Sequence, residues 1–196
     1  MSAQPGGTRV AGVRVAWRTV PHGGARRDVA DALVADIASG SPGASPQAPV
    51  TVGRRCDRCG STDHGRPHVV GAPVLASISY AGDLVVVAVA EASHVLAVGI
   101  DAERTGRDRA ERLRGVIVPG RPTSLRRWTR VEAVLKADGR GLAVEPARVR
   151  IERSLGGVYG RIAGDGATNG AVGIRPRLFR VSGPRGVVIS LAVASV

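Results

Sequence analysis

Trp128, Glu132 and Lys136 recur at every fourth position of Trp128-Thr129-Arg130-Val131-Glu132-Ala133-Val134-Leu135-Lys136. A helix therefore places all three on one face. Lys136 is the unusual member, because all but one of the chain's 28 basic residues are arginine and the exception stands here. An ammonium is a compact point charge on a flexible stem, whereas a guanidinium is a wide planar fork. A position that keeps the ammonium against so strong a compositional bias is one where the point charge matters. An amphipathic helix with a core tryptophan and an exposed i,i+4 ion pair accounts for the same spacing, and such a pair contributes only about 0.2–0.5 kcal/mol.

A second group is Val98-Gly99-Ile100-Asp101-Ala102-Glu103, in which an apolar strand runs into two carboxylates at i and i+2. If the strand continues, both point to one side. Two acids so placed repel unless a cation lies between them. A hard ion such as Mg²⁺ takes oxygen ligands of this type and keeps positions for water and phosphate oxygens. A strand end turning polar as it reaches solvent gives the same pattern. Cys56, Cys59, His64 and His68 form a third group of candidate zinc ligands at compressed spacing, with free thiols in a turn as the alternative. Within it, His64-Gly65-Arg66-Pro67 sets a cation on a rigid turn, as a phosphate contact needs. The fourth group, Ser77-Ile78-Ser79-Tyr80-Ala81-Gly82, places a hydroxyl pair before a glycine turn.

The elements that must position these residues follow from periodicity. Residues 10–19 alternate as a half-buried strand, and 25–38 read as a helix with Val29, Leu33 and Ile37 as its apolar stripe. Residues 40–49 are a Gly/Ser/Pro-rich connection, and 54–67 a polar loop. Three strands are expected at 75–80, 84–91 and 94–101, joined by hairpin turns at Gly82-Asp83 and Ala92-Ser93. A helix is expected over 123–138, capped by Ser124 and stopped by Gly139 and Gly141. Strands near 147–153, 157–163, 171–181 and 186–195 complete the chain. The run after Gly82 resembles the run after Gly183, each following a Ser-bearing strand, and each half holds one long helix. The expected fold is therefore α+β, with two pseudo-symmetric halves (1–97 and 98–196), each a small, mainly antiparallel sheet on a long helix, and a cleft between them.

The 196 residues are 43% hydrophobic but only 3% aromatic, so the core must be built from Val, Leu, Ile and Ala. The net charge of +12 favours acidic partners without choosing among them. The arginines are scattered and lack interleaved aromatics, which argues against a nucleic-acid binder. The apolar runs are too short to span a bilayer and the first residues lack the features of a secretory signal, so a cytoplasmic protein with no membrane partner is expected.

In order and spacing, the series HGRP, SISYAG, VGIDAE and WTRVEAVLKADGRGL resembles the Sfp-type 4′-phosphopantetheinyl transferase superfamily, over roughly residues 54–143 and more weakly at Arg26-Arg27 and 186–194. The resemblance implies two related α+β halves and transfer of the phosphopantetheine arm of coenzyme A to a serine of an acyl or peptidyl carrier protein, with release of 3′,5′-ADP. It assigns Asp101, Glu103 and Glu132 to Mg²⁺, Glu132 to deprotonation of the acceptor, and Lys136 to the pyrophosphate. Arg66 and Arg26 or Arg27 would meet the 3′-phosphate, with Ser79 and Tyr80 at the phosphate-binding position. Three features depart from the family pattern: Tyr80 replaces a histidine, Val131 replaces a lysine, and the 104–127 segment is short and rich in Arg, Gly and Pro. A non-catalytic paralogue that binds coenzyme A or a carrier is the alternative these departures raise. Two fused halves predict a monomer.

Overall fold

The run Leu84–Ala90 is buried at every position, which a strand achieves only when both its faces are covered. That requirement organises the molecule. The computed structural model describes residues 6–56, 59–106, 113–117, 121–164 and 173–196. In chain order the elements are β1 (Gly6–Val10), β2 (Val13–Thr19), α1 (Arg26–Ser39), β3 (Thr51–Arg55), β4 (Arg66–Val70), β5 (Val74–Ala81), β6 (Leu84–Glu91), β7 (Val95–Arg104), α2 (Leu125–Asp138), β8 (Val149–Ser154), β9 (Gly157–Ile162), β10 (Arg177–Val181) and β11 (Val187–Ser195). The fold is α+β, and every strand pairing is antiparallel.

A four-stranded sheet runs β1-β2-β6-β5, a five-stranded sheet runs β7-β11-β10-β9-β8, and β3 and β4 form a separate hairpin. Alternation along β6 divides its side chains between two cores. Val85, Val87 and Val89 pack with Ala30, Leu33 and Val34 of α1. Leu84, Val86, Ala88 and Ala90 pack with Val98 and Ile100 of β7 and with Ile189, Leu191 and Val193 of β11. On the far side of the second sheet, Val131, Val134 and Leu135 of α2 pack with Ala97, Leu178, Ala192 and Ala194. The layers are thus helix, sheet, sheet, helix.

Several expected elements lie elsewhere. Residues 10–19 do not form one strand: Ala11 and Gly12 take positive φ (49° and 80°) and turn the chain between β1 and β2. Ala92-Ser93 is not a hairpin turn, because β6 already has β2 and β5 as neighbours and β7 joins the other sheet beside β11. The boundary expected at 97/98 falls inside β7. Both helices span 14 residues, so neither is long. The expected loop over 54–67 gives up its ends to β3 and β4. Part of the strand expected over 171–181 lies outside the described residues, and β10 begins at Arg177.

One contact fixes α2 on its sheet. Gly99 lies beneath the α2 backbone, where a Cβ would run into the Ala133 carbonyl oxygen and come within 2.5 Å of the Ala137 nitrogen. Backbone cannot yield as a flexible side chain can. Gly99→Ala is therefore expected to lower stability by about 2–3 kcal/mol, the upper part of the overpacking range. Gly106→Ala, where nothing lies within 4 Å of the added carbon, should leave the urea midpoint within error of the parent.

Candidate active site

The absence of a side chain at Gly99 brings the α2 backbone down onto β7, and with it the face that carries Glu132 and Lys136. On β7, Ala97, Gly99, Asp101 and Glu103 share the α2 side, while Val98, Ile100 and Ala102 face the first sheet. The two carboxylates therefore point to one side, next to the helix. Asp101 and Glu103 are 5% and 7% exposed. Lys136 Nζ donates to Asp101 Oδ1 at 2.7 Å and to the Ile100 carbonyl at 3.0 Å. Trp128 Nε1 donates to Glu103 Oε1 at 3.2 Å. The helix is held by an Ser124 N-cap, whose hydroxyl accepts from Arg127 N, by Gly139 in the left-handed conformation, and by a buried Thr129–Ser190 hydroxyl contact of 2.8 Å to β11.

The two sheets meet edge to edge at this point. As edge strand of its sheet, β7 turns the amides of Ile100 and Ala102 outward, and the hydroxyls of Ser77 and Ser79 on β5 accept them at 3.0 and 3.1 Å. The Ser79 hydroxyl also donates to Asp101 Oδ1 at 2.9 Å. Two serines thus do the work of a missing neighbouring strand, satisfying amides that burial would otherwise leave costly.

The electrostatics are those of a site short of positive charge. Burial pushes the Asp101 carboxyl above the ordinary carboxylate range; Lys136 and Ser79 pull it back and Glu103 pushes it further. Glu132 is also pushed up, first by burial and next by Asp101, with Lys136 opposing and Glu103 adding. The second oxygen of Asp101, Oδ2, is buried with no hydrogen-bond partner. An orphaned carboxylate oxygen amid like charges fits a hard cation with oxygen ligands. Asp101, Glu103 and Glu132 do not bring one oxygen each within 4.8 Å of one another; among the described residues the group of three that does so is Cys56, Cys59 and His64.

A cleft of about 720 Å³ opens beside Lys136. Arg55, Arg66, Lys136 and Arg140 supply its cations, Ala76, Ile78 and Pro67 an apolar wall, and no carboxylate lines it among the described residues. Arg66 lies against the α2 C-terminus, where a Cβ on Gly139 would be 2.9 Å from its guanidinium nitrogen. Arg140 is clamped by the buried Asp138 at 2.6 and 3.0 Å. A smaller hollow of about 450 Å³ is lined by Val134, Asp138, Arg161 and Arg175 and by none of Asp101, Glu103, Glu132 and Lys136.

The structure thus gathers Asp101, Glu103, Glu132 and Lys136 at one place and puts Arg66 in the adjoining cleft. Of the other expected cofactor contacts, Ser79 joins the site through Asp101 Oδ1, while Arg26, Arg27 and Tyr80 have partners outside it. Arg26 donates to the Gly82 carbonyl at 2.9 Å and lies over the Tyr80 ring. Arg27 donates to the carbonyls of Thr62 and Asp63. Tyr80, next along β5 from Ser79, points to the opposite face of the sheet, and the Ser79 hydroxyl is committed to Asp101 and Ala102. Val131 is 1% exposed and belongs to the core, so no charge is missing from the cleft at that position. Sequence reading passed over Arg55 and Arg140 as cleft cations and Ser77 as an edge cap; the Gly-Arg-Gly after α2 was the available signal for Arg140. Comparison with known protein families and with curated proteins returned no match.

Lys136→Met should cost about 3 kcal/mol, the low end for breaking a buried pair, because the lysine keeps partial exposure. Adding Asp101→Asn should recover about half of that loss in urea denaturation, since the two side chains are in direct contact and their effects are not additive. Additive losses would mean that the pair is not coupled.

Proposed function

We propose that the protein transfers the 4′-phosphopantetheine group of coenzyme A to a serine of an acyl or peptidyl carrier protein, with Mg²⁺ as cofactor. The observation that carries this reading is the position of Lys136, which joins a cluster of three acids to a cleft that also holds Arg55, Arg66 and Arg140. The resemblance of the four motifs, which contain these same residues, to the Sfp-type transferases is the other support. On this reading the two layered halves, each with a helix on the outer face of its sheet, are related by a pseudo-two-fold axis, and the site lies where they meet.

Mg²⁺, held by Asp101, Glu103 and Glu132, would neutralise pyrophosphate oxygens and charge on the leaving group. The protein's own groups do the rest. Arg66, Arg140 and Arg55 bind the phosphates of the donor. Lys136 swings its ammonium between Asp101 and the pyrophosphate, offsetting charge as the phosphoanhydride opens. Glu132 takes the hydrogen of the acceptor serine, directly or through water. The serine oxygen forms a bond to the phosphorus that carries pantetheine, the phosphoanhydride bond breaks, and 3′,5′-ADP leaves. Positioning and electrostatics suffice for phosphoryl-type transfer. Arg126, Arg127, Arg130 and Arg150 line a shallow groove near the start of α2; burial and the charges of Arg126 and Arg153 hold the Arg130 guanidinium below its ordinary range. This field favours an acidic carrier. The Lys136–Asp101 pair favours a second reading, a non-catalytic binder of coenzyme A or a carrier, because the ammonium is already engaged by Asp101 Oδ1.

Intact mass of apo carrier proteins incubated with coenzyme A, Mg²⁺ and the protein separates the two. The transferase reading predicts a gain of one phosphopantetheine, lost in Glu132→Gln with coenzyme A binding retained. Arg66→Ala should weaken coenzyme A binding about tenfold, the effect of one charge-assisted hydrogen bond. Coenzyme A affinity with no mass gain on fatty-acid, polyketide or nonribosomal-peptide carriers would leave the binder.

A further inference from the structure

The described residues of the loop between β3 and β4, 56 and 59–65, place no apolar side chain in the core, yet they are held by specific contacts. Its neck closes at the Arg55–Arg66 pair of the hairpin. Gly65 (φ 115°) sits against the Arg55 carbonyl, where no side chain fits. Inside the neck the chain doubles back: Cys56 N donates to the Ser61 carbonyl at 2.9 Å, and Gly60 N to the Cys56 carbonyl at 2.8 Å. Arg27 of α1 grips the far side through the carbonyls of Thr62 and Asp63.

This folding brings the Cys56 Sγ, the Cys59 Sγ and a His64 ring nitrogen within 4.8 Å of one another, with Cys59 Sγ and His64 Nε2 at 3.3 Å. No disulfide joins the cysteines. In a tetrahedral zinc site, with Zn–S about 2.3 Å and Zn–N about 2.0 Å, neighbouring ligand atoms lie roughly 3.5–3.8 Å apart. The cluster therefore needs only slight closure around an ion. His68, the fourth ligand expected from sequence, is elsewhere: its ring lies over Gly53 on the paired strand, where a Cβ would run into the ring's Cε1. Cys56 and His64 also line the cationic cleft, as does Arg66, which forms one side of the neck.

We propose that Cys56, Cys59 and His64 bind one Zn²⁺ that pins the 56–65 loop and so holds Arg66 in the cleft. Two thiolates and a neutral imidazole balance the ion's charge, and a fourth coordination position is left to water or another ligand. The ion supplies the cross-link that a loop without core side chains otherwise lacks, as structural zinc does in small metal-stapled units. The zinc site does not depend on the transferase reading.

The test is metal content and spectroscopy on the whole protein, purified without chelator and, if metal-free, titrated with Zn²⁺. One zinc per chain is expected, and the cobalt-exchanged protein should show thiolate-to-cobalt charge transfer and tetrahedral ligand-field bands. Cys59→Ser and His64→Ala should each lose these signals. Both side chains are exposed, so circular dichroism should stay unchanged. His68→Ala should keep them. Failure to take up zinc, or bands that survive Cys59→Ser, would overturn the site. For the pinning role the probe is inorganic pyrophosphate, which requires only the cationic cleft. Removing zinc should weaken its binding about tenfold, as for one lost charged hydrogen bond, and unchanged affinity would overturn that role.

Discussion

The close approach of the α2 backbone to Gly99 is the constraint on which the site depends. A helix laid on a sheet normally stands off by the depth of its side chains. Here the contact strand offers no side chain at the crossing, and alanines at 133 and 137 complete a shallow seat. The helix is thereby low enough for the Lys136 ammonium to reach both Asp101 and the backbone carbonyl next to it. A residue with any side chain at 99 would lift the helix and part the ammonium from the carboxylate.

The second constraint is the junction between sheets. Edge strands expose amides that seek partners, and β7 meets this need with serine hydroxyls from β5 rather than with another strand. This arrangement ties Asp101 to both sheets at once, through its own strand and through Ser79. A carboxylate so braced can stay buried with one oxygen unsatisfied, a costly condition that suits a place where a cation is received.

Much of this was legible in the sequence. The Trp128, Glu132, Lys136 spacing, the Ser124 cap and the Gly139 stop located α2 to within two residues, because helix signals are local. The i, i+2 carboxylates of β7 required only strand alternation. Sheet membership was not legible, because it is decided by long-range pairing: the turn at Ala92-Ser93 gives no sign that β7 crosses to a different sheet. Ser77 and Ser79 could be noticed as a hydroxyl pair, but not as caps for amides twenty-odd residues away. His68 looked equivalent to His64 until the β3–β4 register turned it over Gly53. Arg26 and Arg27 were placed on a helix correctly, yet which carbonyls they reach depends on loops that sequence periodicity does not describe.

The central claim is that the three acids, Lys136 and the arginine cleft act as one site on a pyrophosphate and a divalent ion. A crystal structure of the protein grown with coenzyme A and Mn²⁺, with anomalous differences recorded at the manganese edge, tests it most directly. The account predicts a manganese peak between the carboxylates of Asp101 and Glu132, with the pyrophosphate against Lys136 and the nucleotide end beside Arg66. Coenzyme A bound away from Lys136, or a metal peak distant from Asp101, would contradict it.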